Sequence, residues 1–273
     1  MFKNQTVALV PSNLACNNHG KYYISPTKPT TPPAPVSSCA LNNIDEAPMG
    51  RIYNGIDAPS GSYPFYVAIR GESYKTVINN QLIFSSVSAS NGYSFGGILV
   101  GSQYVLSHND LANDGAKVAY GLKPGDDYSN VFDSSNPNLV EISTKATFGN
   151  GEVALFQIPP ITFDEFTQPA QLSDCSGPSG PIVGDQLAIF GLGEYSASEG
   201  GSDTVQGKCI DVVENSANCT SSAAAMGSNY FCANSDFCYN DRGGPLVATK
   251  NGVHYAVSVI EYTESYCIRK PSL

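Results

Sequence analysis

The most distinctive polar residues of the sequence lie in FCYNDRGGPLV, Phe237 to Val247, where Asp241 and Arg242 directly precede two glycines. The guanidinium of Arg242 stays protonated and has no free lone pair. It can therefore donate hydrogen bonds and pair with anions, but it cannot act as a nucleophile. No serine, threonine or cysteine stands beside it. These residues predict ion pairing at this position and no covalent catalysis.

Short β-strands must position these residues, because the composition favours strands and turns over long amphipathic helices. Only 14% of the residues are charged, and 26 glycines and 18 prolines punctuate the chain. Apolar runs of strand length recur from residue 51 onward; they are FYVAI, GGILV, YVLS, VALFQI, QLAIFGLG and HYAVSVI. The sequence therefore predicts an all-β protein.

The charge of the chain narrows the classes of partner. A formal net charge of −10 and a pI near 4.6 argue against nucleic acids and anionic membranes, because binding phosphate groups needs clustered Lys and Arg. No apolar run reaches the length of a membrane span, so membrane insertion is not predicted either. We expect a soluble acidic protein whose partners are other proteins.

The eight cysteines predict disulfides. They include no CxxC pair and no Cys/His cluster with zinc spacing, so neither a metal site nor another cofactor is expected. Disulfides imply an oxidising compartment, and secretion is inferred from them alone. The N-terminal stretch MFKNQTVALVPS gives no support of its own, because its apolar run is too short for a secretory signal. Asn4 and Asn218 begin N-x-Thr triplets and are candidate glycosylation sites.

Residues 1–51 form a separate N-terminal arm in this interpretation. The stretch SPTKPTTPPAPVSS, Ser25 to Ser38, is predicted to be polyproline-like, and Cys16 and Cys39 flank it. Two interpretations remain open: a flexible tail, or a peptide that docks on its own body or on a neighbouring subunit and so allows oligomers.

Four segments in the same order resemble the trypsin/chymotrypsin-like (S1) serine proteases. The resemblance implies a two-barrel, chymotrypsin-like fold in a domain of residues 52–273, with a first barrel near 52–165 and a second near 166–273. The segments are RIYNGIDAPSGSYPFYVAI (51–69), FGGILVGSQYVLSHNDL (95–111), GEVALFQI (151–158) and DFCYNDRGGPLV (236–247).

Carried over position by position, the resemblance implies a pseudoprotease, a homologue without catalytic activity. The family's general-base histidine falls on Asp110, its orienting aspartate on Glu152 and its nucleophilic serine on Arg242. A carboxylate cannot shuttle protons near neutral pH unless its pKa is strongly raised. The oxyanion-hole glycine falls on Asn240, which adopts the required backbone shape less readily. We therefore predict that the protein is not an enzyme.

The side chains of Asp110, Glu152 and Arg242 are expected to converge if this fold forms. One interpretation is a partly buried ion cluster, in which the three charged groups pair with one another at the former catalytic position. The other interpretation is a ligand-binding site. His108 lies two residues before position 110, nearly 7 Å away along a strand, which is too far for it to replace the missing base. It is expected to be a surface or turn histidine and not a ligand.

The resemblance also places an activation junction and a specificity pocket. Cleavage between Arg51 and Ile52 would free an amine to pair with Asp241, but without a protease to activate, cleavage and an uncut chain remain equal alternatives. Asp236 falls at the base of the pocket, while Tyr262 belongs to walls that differ from the family's, so an open pocket for basic residues is not expected.

The disulfides implied by the resemblance are Cys219 with Cys232 and Cys238 with Cys267. Because family members tether the activation arm to the body, the candidate pairs for the others are Cys39 with Cys175 and Cys16 with Cys209. The family also continues about two dozen residues beyond the position of Cys267, through a last strand and a helix. The second barrel is therefore expected to be truncated at the C-terminal helix, and either incomplete or closed differently.

The function predicted is that of a secreted, non-enzymatic serine protease homologue that acts by binding proteins, as a cascade cofactor, decoy or regulator. Its partners would be proteases, inhibitors or copies of itself. A structural subunit of an extracellular assembly is the first alternative. A residual hydrolase with a non-standard nucleophile is the second.

Overall fold

The structure is a computed structural model, and its strands dominate the part of the chain that it describes. Within that part, no helix is long and apolar enough to cross a membrane. The described residues are 6–9, 39, 41, 56–59, 62–71, 73–78, 81–86, 94–109, 115–124, 126, 128–148, 153–172, 186–192, 204–213, 230–234, 241–250 and 253–262.

Seventeen strands and one short helix are defined within these ranges. The elements of the first part are β1 (Thr6–Leu9), β2 (Ile56–Asp57), β3 (Tyr66–Arg70), β4 (Ser73–Ile78), β5 (Gln81–Ser86), β6 (Ser94–Gly101), β7 (Tyr104–His108), β8 (Lys117–Ala119), α1 (Tyr128–Val131), β9 (Leu139–Glu141), β10 (Thr144–Phe148) and β11 (Val153–Gln157). Those of the second part are β12 (Gln171–Leu172), β13 (Gln186–Gly191), β14 (Gln206–Val213), β15 (Tyr230–Asn234), β16 (Pro245–Lys250) and β17 (Val253–Tyr262).

The first large sheet has seven antiparallel strands in the order β10-β11-β7-β6-β3-β8-β9. Its strand β3 is apolar on both faces: Tyr66 and Ala68 contribute to one core cluster, and Val67 and Ile69 contribute to another. All four side chains are at most 1% exposed. Because successive side chains of a strand point to opposite faces, β3 is buried on both sides and holds the sheet between two cores.

The second large sheet closes into a ring. Its strands follow the order β1-β15-β14-β13-β16-β17, and β1 also pairs with β17, so that six strands form a closed barrel. The short strands β2 and β12 add to β14 and β17. The sequence left open whether the second barrel is incomplete or closed differently, and in the structure the closing strand comes from the N-terminal arm.

A shared core joins the two sheets. Tyr66 and Ile98 of the first sheet belong to the same buried cluster as Phe190 and Val259 of the second. The ring of Phe65 meets that of Phe190 edge-on, with centroids 5.5 Å apart. This architecture confirms the predicted all-β, two-barrel, chymotrypsin-like fold, and the contact between the two sheets is where the candidate site lies.

The Tyr63 side chain places a polar hydroxyl group in this shared core. Its side chain is 3% exposed, and its hydroxyl has no hydrogen-bond partner in the described part of the chain. A buried polar group without a partner is destabilising, so Tyr63→Phe is expected to leave the free energy of unfolding unchanged or to raise it by about 1 kcal/mol at pH 7. Urea unfolding measures the difference, and a loss above that size would contradict the assignment.

The same variant should also change the alkaline stability. Burial, and then the charges of Asp126 and Asp57, raise the pKa of Tyr63 to about 12. As the pH rises above 10, the unfolded tyrosine ionises before the folded one does, so the wild type loses stability in the window up to about pH 12. Tyr63→Phe is expected to lack this part of the loss.

Candidate functional site

The site is built from the turn before β16 and the end of β7. Arg242 lies in that turn, half-buried, and His108 is the last residue of β7. The Arg242 Nη2 atom lies 2.9 Å from His108 Nε2. The pair therefore joins one sheet to the other by a side-chain hydrogen bond.

The chemistry of the two groups fixes the direction of this bond. A guanidinium can only donate, so His108 Nε2 must accept and the ring proton must reside on Nδ1. His108 is 1% exposed. The expectation of a surface or turn histidine was therefore wrong. His108 is the last residue of β7 and contacts the Arg242 side chain, and the sequence around position 108 does not show this contact between distant segments.

A buried serine precedes this histidine. The Ser107 side chain is fully buried, and its Oγ donates to the Gly96 carbonyl at 2.7 Å, with the Gly243 carbonyl 3.3 Å away. A hydroxyl has a single proton, and here it faces two backbone carbonyl oxygens, one on β6 and one in the turn before β16. Ser107 therefore links the sheets and offers no exposed hydroxyl to a substrate.

Glycines bring the backbones of the two sheets into direct contact at this point. A Cβ atom on Gly96 would lie 2.5 Å from the Cα atom of Gly244, so no side chain fits there. The Gly96 N–H donates to the Arg242 carbonyl at 3.3 Å, and Gly243 turns the chain with φ of 76°. The backbone on either side of Arg242 is thus held in place while its side chain extends to His108.

Asp241 is a buried carboxylate on the other side of this turn. It is 1% exposed, and its Oδ1 atom occupies the space that a side chain on Gly191 would need. A buried carboxylate is stable when it is paired or hydrogen-bonded. Its candidate partner from the sequence, the amine of Ile52, lies outside the described residues, as does Arg51.

Most of the other predicted site residues also lie outside the described residues, so their roles stay predictions. Cys232 and Tyr262 are placed only as members of β15 and β17. The predicted site residues that lie outside the described residues are Asp110, Glu152, Asp236 and Asn240, the glycosylation candidates Asn4 and Asn218, and the cysteines Cys16, Cys175, Cys219, Cys238 and Cys267.

Comparison with protein families decides the membership of the chain. The family described as Trypsin matches residues 52–269, most of the chain. The protein belongs to the trypsin family. In this trypsin-family chain, the resemblance puts the family's nucleophile at Arg242, where the structure has a guanidinium hydrogen-bonded to a buried imidazole.

The segment just after the predicted activation junction is fixed on the second sheet. Ile56 and Asp57 form β2, which pairs with Gly207 and Gln206 of β14. The Asp57 carboxylate accepts from the Thr204 hydroxyl at 3.0 Å, and also from the Gln206 amide. Any movement that follows cleavage at the junction must therefore occur before residue 56 or break these contacts.

The disulfide of the trypsin-family chain corrects two predicted pairings. Cys39 is bonded to Cys209, with Cα atoms 5.7 Å apart, so the pairs Cys39–Cys175 and Cys16–Cys209 were both wrong. Cys39 and Leu41 are buried in the shared core, and Leu41 packs over Gly207 on β14. This packing brings Cys39 to β14, and cysteine spacing cannot reveal such a contact.

Replacing Arg242 by serine tests the pair directly. Arg242→Ser is expected to lower the free energy of unfolding by about 1–3 kcal/mol, because the buried Nε2 atom of His108 loses its donor. Hydrolysis is not expected to return, since a serine side chain is several atoms shorter and does not reach the imidazole. Chemical denaturation and a peptide-cleavage assay measure the two outcomes.

A double-mutant cycle with His108→Leu provides the control for this prediction. Leucine removes the acceptor, so the loss caused by Arg242→Ser should shrink by about 0.5–3 kcal/mol in the His108→Leu background. Strictly additive losses would show that the two side chains do not interact.

Proposed function

We propose that this trypsin-family protein is a secreted, non-enzymatic serine protease homologue that acts by binding other proteins. The observation that carries the proposal is the hydrogen bond from Arg242 to the buried His108. A guanidinium cannot attack a carbonyl, and the imidazole nitrogen that faces it is occupied as an acceptor. The position that performs covalent chemistry in the family thus serves here as a structural link.

The surroundings of the pair support the same proposal. A rescuing nucleophile would need an exposed hydroxyl within hydrogen-bond reach of a base. Ser107, next to His108 in sequence, is buried with its hydroxyl on backbone carbonyls. This observation disfavours the residual hydrolase, the weakest of the three predicted functions.

The Cys39–Cys209 disulfide supports the proposed secretion. Disulfides persist in oxidising compartments and are rare in reducing ones. Fractionation of the source cells and culture fluid tests this part of the proposal. Recovery of the protein mainly from the fluid would support secretion, and recovery from the cytosol would contradict it.

A peptide-cleavage assay tests the absence of catalysis. The purified wild type, Arg242→Ser and an active trypsin are incubated with the same broad peptide library, and the products are identified by mass spectrometry. We expect cleavage by the trypsin alone. Cleavage by the wild type that disappears in a variant of this site would overturn the proposal.

A capture experiment tests the binding function. The immobilised protein and a catalytically inactivated trypsin are exposed to the fluid into which the protein is secreted. We expect proteases or protease inhibitors to be retained by this protein and not by the control bait. No retention beyond the control would contradict a cofactor or decoy role.

The second candidate, a structural subunit of an extracellular assembly, is favoured by one specific observation. The strand β1 from the N-terminal arm completes the second barrel by pairing on both of its edges. A strand that completes a barrel can also be supplied by a neighbouring copy of the chain, and it then joins the two copies.

A further inference from the structure

His254 is a half-buried histidine at the contact between the two large sheets, outside the candidate site. It is the second residue of β17. Its ring centre lies 5.0 Å from that of Phe65, which is fully buried and directly precedes β3 of the first sheet. Phe65 also meets Phe190 of β13, so aromatic rings from both sheets adjoin one another here. A change at His254 therefore acts on the packing of one sheet against the other.

The polar contact of the His254 ring is with a hydroxyl group. Its Nδ1 atom lies 3.0 Å from the Oγ1 atom of Thr249, which is paired with it on the neighbouring strand β16. A hydroxyl can donate or accept a hydrogen bond, so this contact is open to the neutral and to the protonated imidazole. A hydroxyl carries no negative charge, however, and cannot balance the charge of the protonated ring.

Burial disfavours the protonated form of this ring. It lowers the pKa of His254 from the ordinary value of 6.5, and no carboxylate of the described chain contributes to the shift. The titratable residues nearest along the elements that pack here are Lys250 at the end of β16, Tyr255 on β17 and Tyr63 before Phe65. None of them supplies an anion to hold an imidazolium.

A ring released from this contact into water would not carry the same cost. Above pH 6.5 the imidazole is neutral in both the packed and the released form, and the contact keeps its full stability. As the pH falls through 6.5 toward the lower pKa of the packed ring, the released form takes up a proton first. The packed form therefore loses stability in that window.

We propose that His254 is an acid-sensitive contact between the two sheets, and that its protonation loosens the packing of its ring against Phe65. The two rings are tilted by 57°, and the partner of the imidazole is a hydroxyl rather than a carboxylate. Mild acid then favours a form in which this part of the interface is open. The inference goes beyond the proposed function and does not depend on the loss of catalysis.

A titration of the full-length wild type tests the first step. The ring Cε1–H signal of His254 is followed by NMR from pH 8 to pH 5 in the folded protein and in urea, and it is identified by its loss in His254→Phe. We expect a midpoint in the folded protein that is lower than the midpoint in urea. An equal or higher midpoint would show that the aromatic contact favours the cation, and it would overturn the proposal.

Amide hydrogen exchange tests the loosening of the interface. The Leu99 amide donates to the Phe65 carbonyl at 2.7 Å and the Gln168 amide to the Pro64 carbonyl at 2.9 Å, so both report on the segment that His254 contacts. The matched control is His254→Phe, which keeps an aromatic ring at this position and cannot be protonated. Because both proteins are measured at the same pH, the ratio of their rates cancels the pH dependence of the exchange chemistry itself.

The ratio of wild-type to variant exchange rates at these two amides is expected to rise between pH 7.5 and pH 5. The rise can reach about tenfold for each unit by which the pKa of the packed ring is lowered. The amide of Ile142, which donates to the Ala116 carbonyl in the other core of the first sheet, should show no such rise. A ratio that stays constant at Leu99 and Gln168, or that rises equally at Ile142, would overturn the proposal. If His254→Phe does not fold, the change of the wild-type rates relative to Ile142 decides the question.

Discussion

Gly96→Ala is expected to lower the free energy of unfolding by about 3 kcal/mol or more, with loss of the contact between the two sheets. The new methyl group would lie 2.5 Å from the Cα atom and 3.0 Å from the nitrogen of Gly244. Both are backbone atoms of the turn that carries Arg242, so the clash can be relieved only by moving one sheet against the other. Urea unfolding followed by fluorescence measures the loss.

Gly207→Ala is the matched control for this prediction. A methyl group there would also be close to its neighbours, but these are side-chain atoms of Leu41 and Phe190 rather than backbone. Leucine can adjust its rotamer, so the cost of Gly207→Ala should be clearly smaller. Equal losses for the two variants would mean that the backbone contact at Gly96 is not the cause.

Removing the Cys39–Cys209 disulfide is expected to cost about 2–5 kcal/mol of stability. The bond joins residues 170 positions apart, so reducing it releases a long loop in the unfolded chain. Cys39→Ala with Cys209→Ala is preferred to serine variants, because Cys39 is buried in the apolar core and a hydroxyl there would add its own penalty. Chemical denaturation of both proteins gives the difference.

Peptide mapping without reduction tests the pairing on which this value depends. Proteolysis should release a single disulfide-linked species that contains Cys39 and Cys209. A species that joins Cys39 to Cys175 would reinstate the pairing expected from the sequence. A stability loss well below 1 kcal/mol in the double variant would contradict the role given to the bond.

The most apolar strands of both large sheets could be predicted from the sequence because their signal is local. The run FYVAI yields β3, and QLAIFGLG yields β13, since apolar side chains at successive positions require burial on both faces. The four family-like segments supplied the two-barrel fold in which these strands are arranged. The fold was therefore predictable without any knowledge of a contact.

The contacts that define the site were not predictable, because each joins distant parts of the chain. His108 and Arg242 are 134 residues apart, and nothing in either segment shows that one side chain reaches the other. Cysteine spacing likewise leaves the partner of Cys39 open. The closing strand was missed for a related reason: TVAL is short and lies in the N-terminal arm, far in sequence from the strands β15 and β17 with which it pairs.

Reaction with a fluorophosphonate probe tests the central claim most directly, namely that a guanidinium–imidazole link has replaced the catalytic machinery. The purified wild type is incubated with the probe beside an active trypsin, and intact mass and tryptic peptides are recorded for both. We expect complete labelling of the trypsin and no labelled residue in this protein. Stoichiometric labelling of any serine, Ser107 included, would show that a working nucleophile exists and would contradict the account.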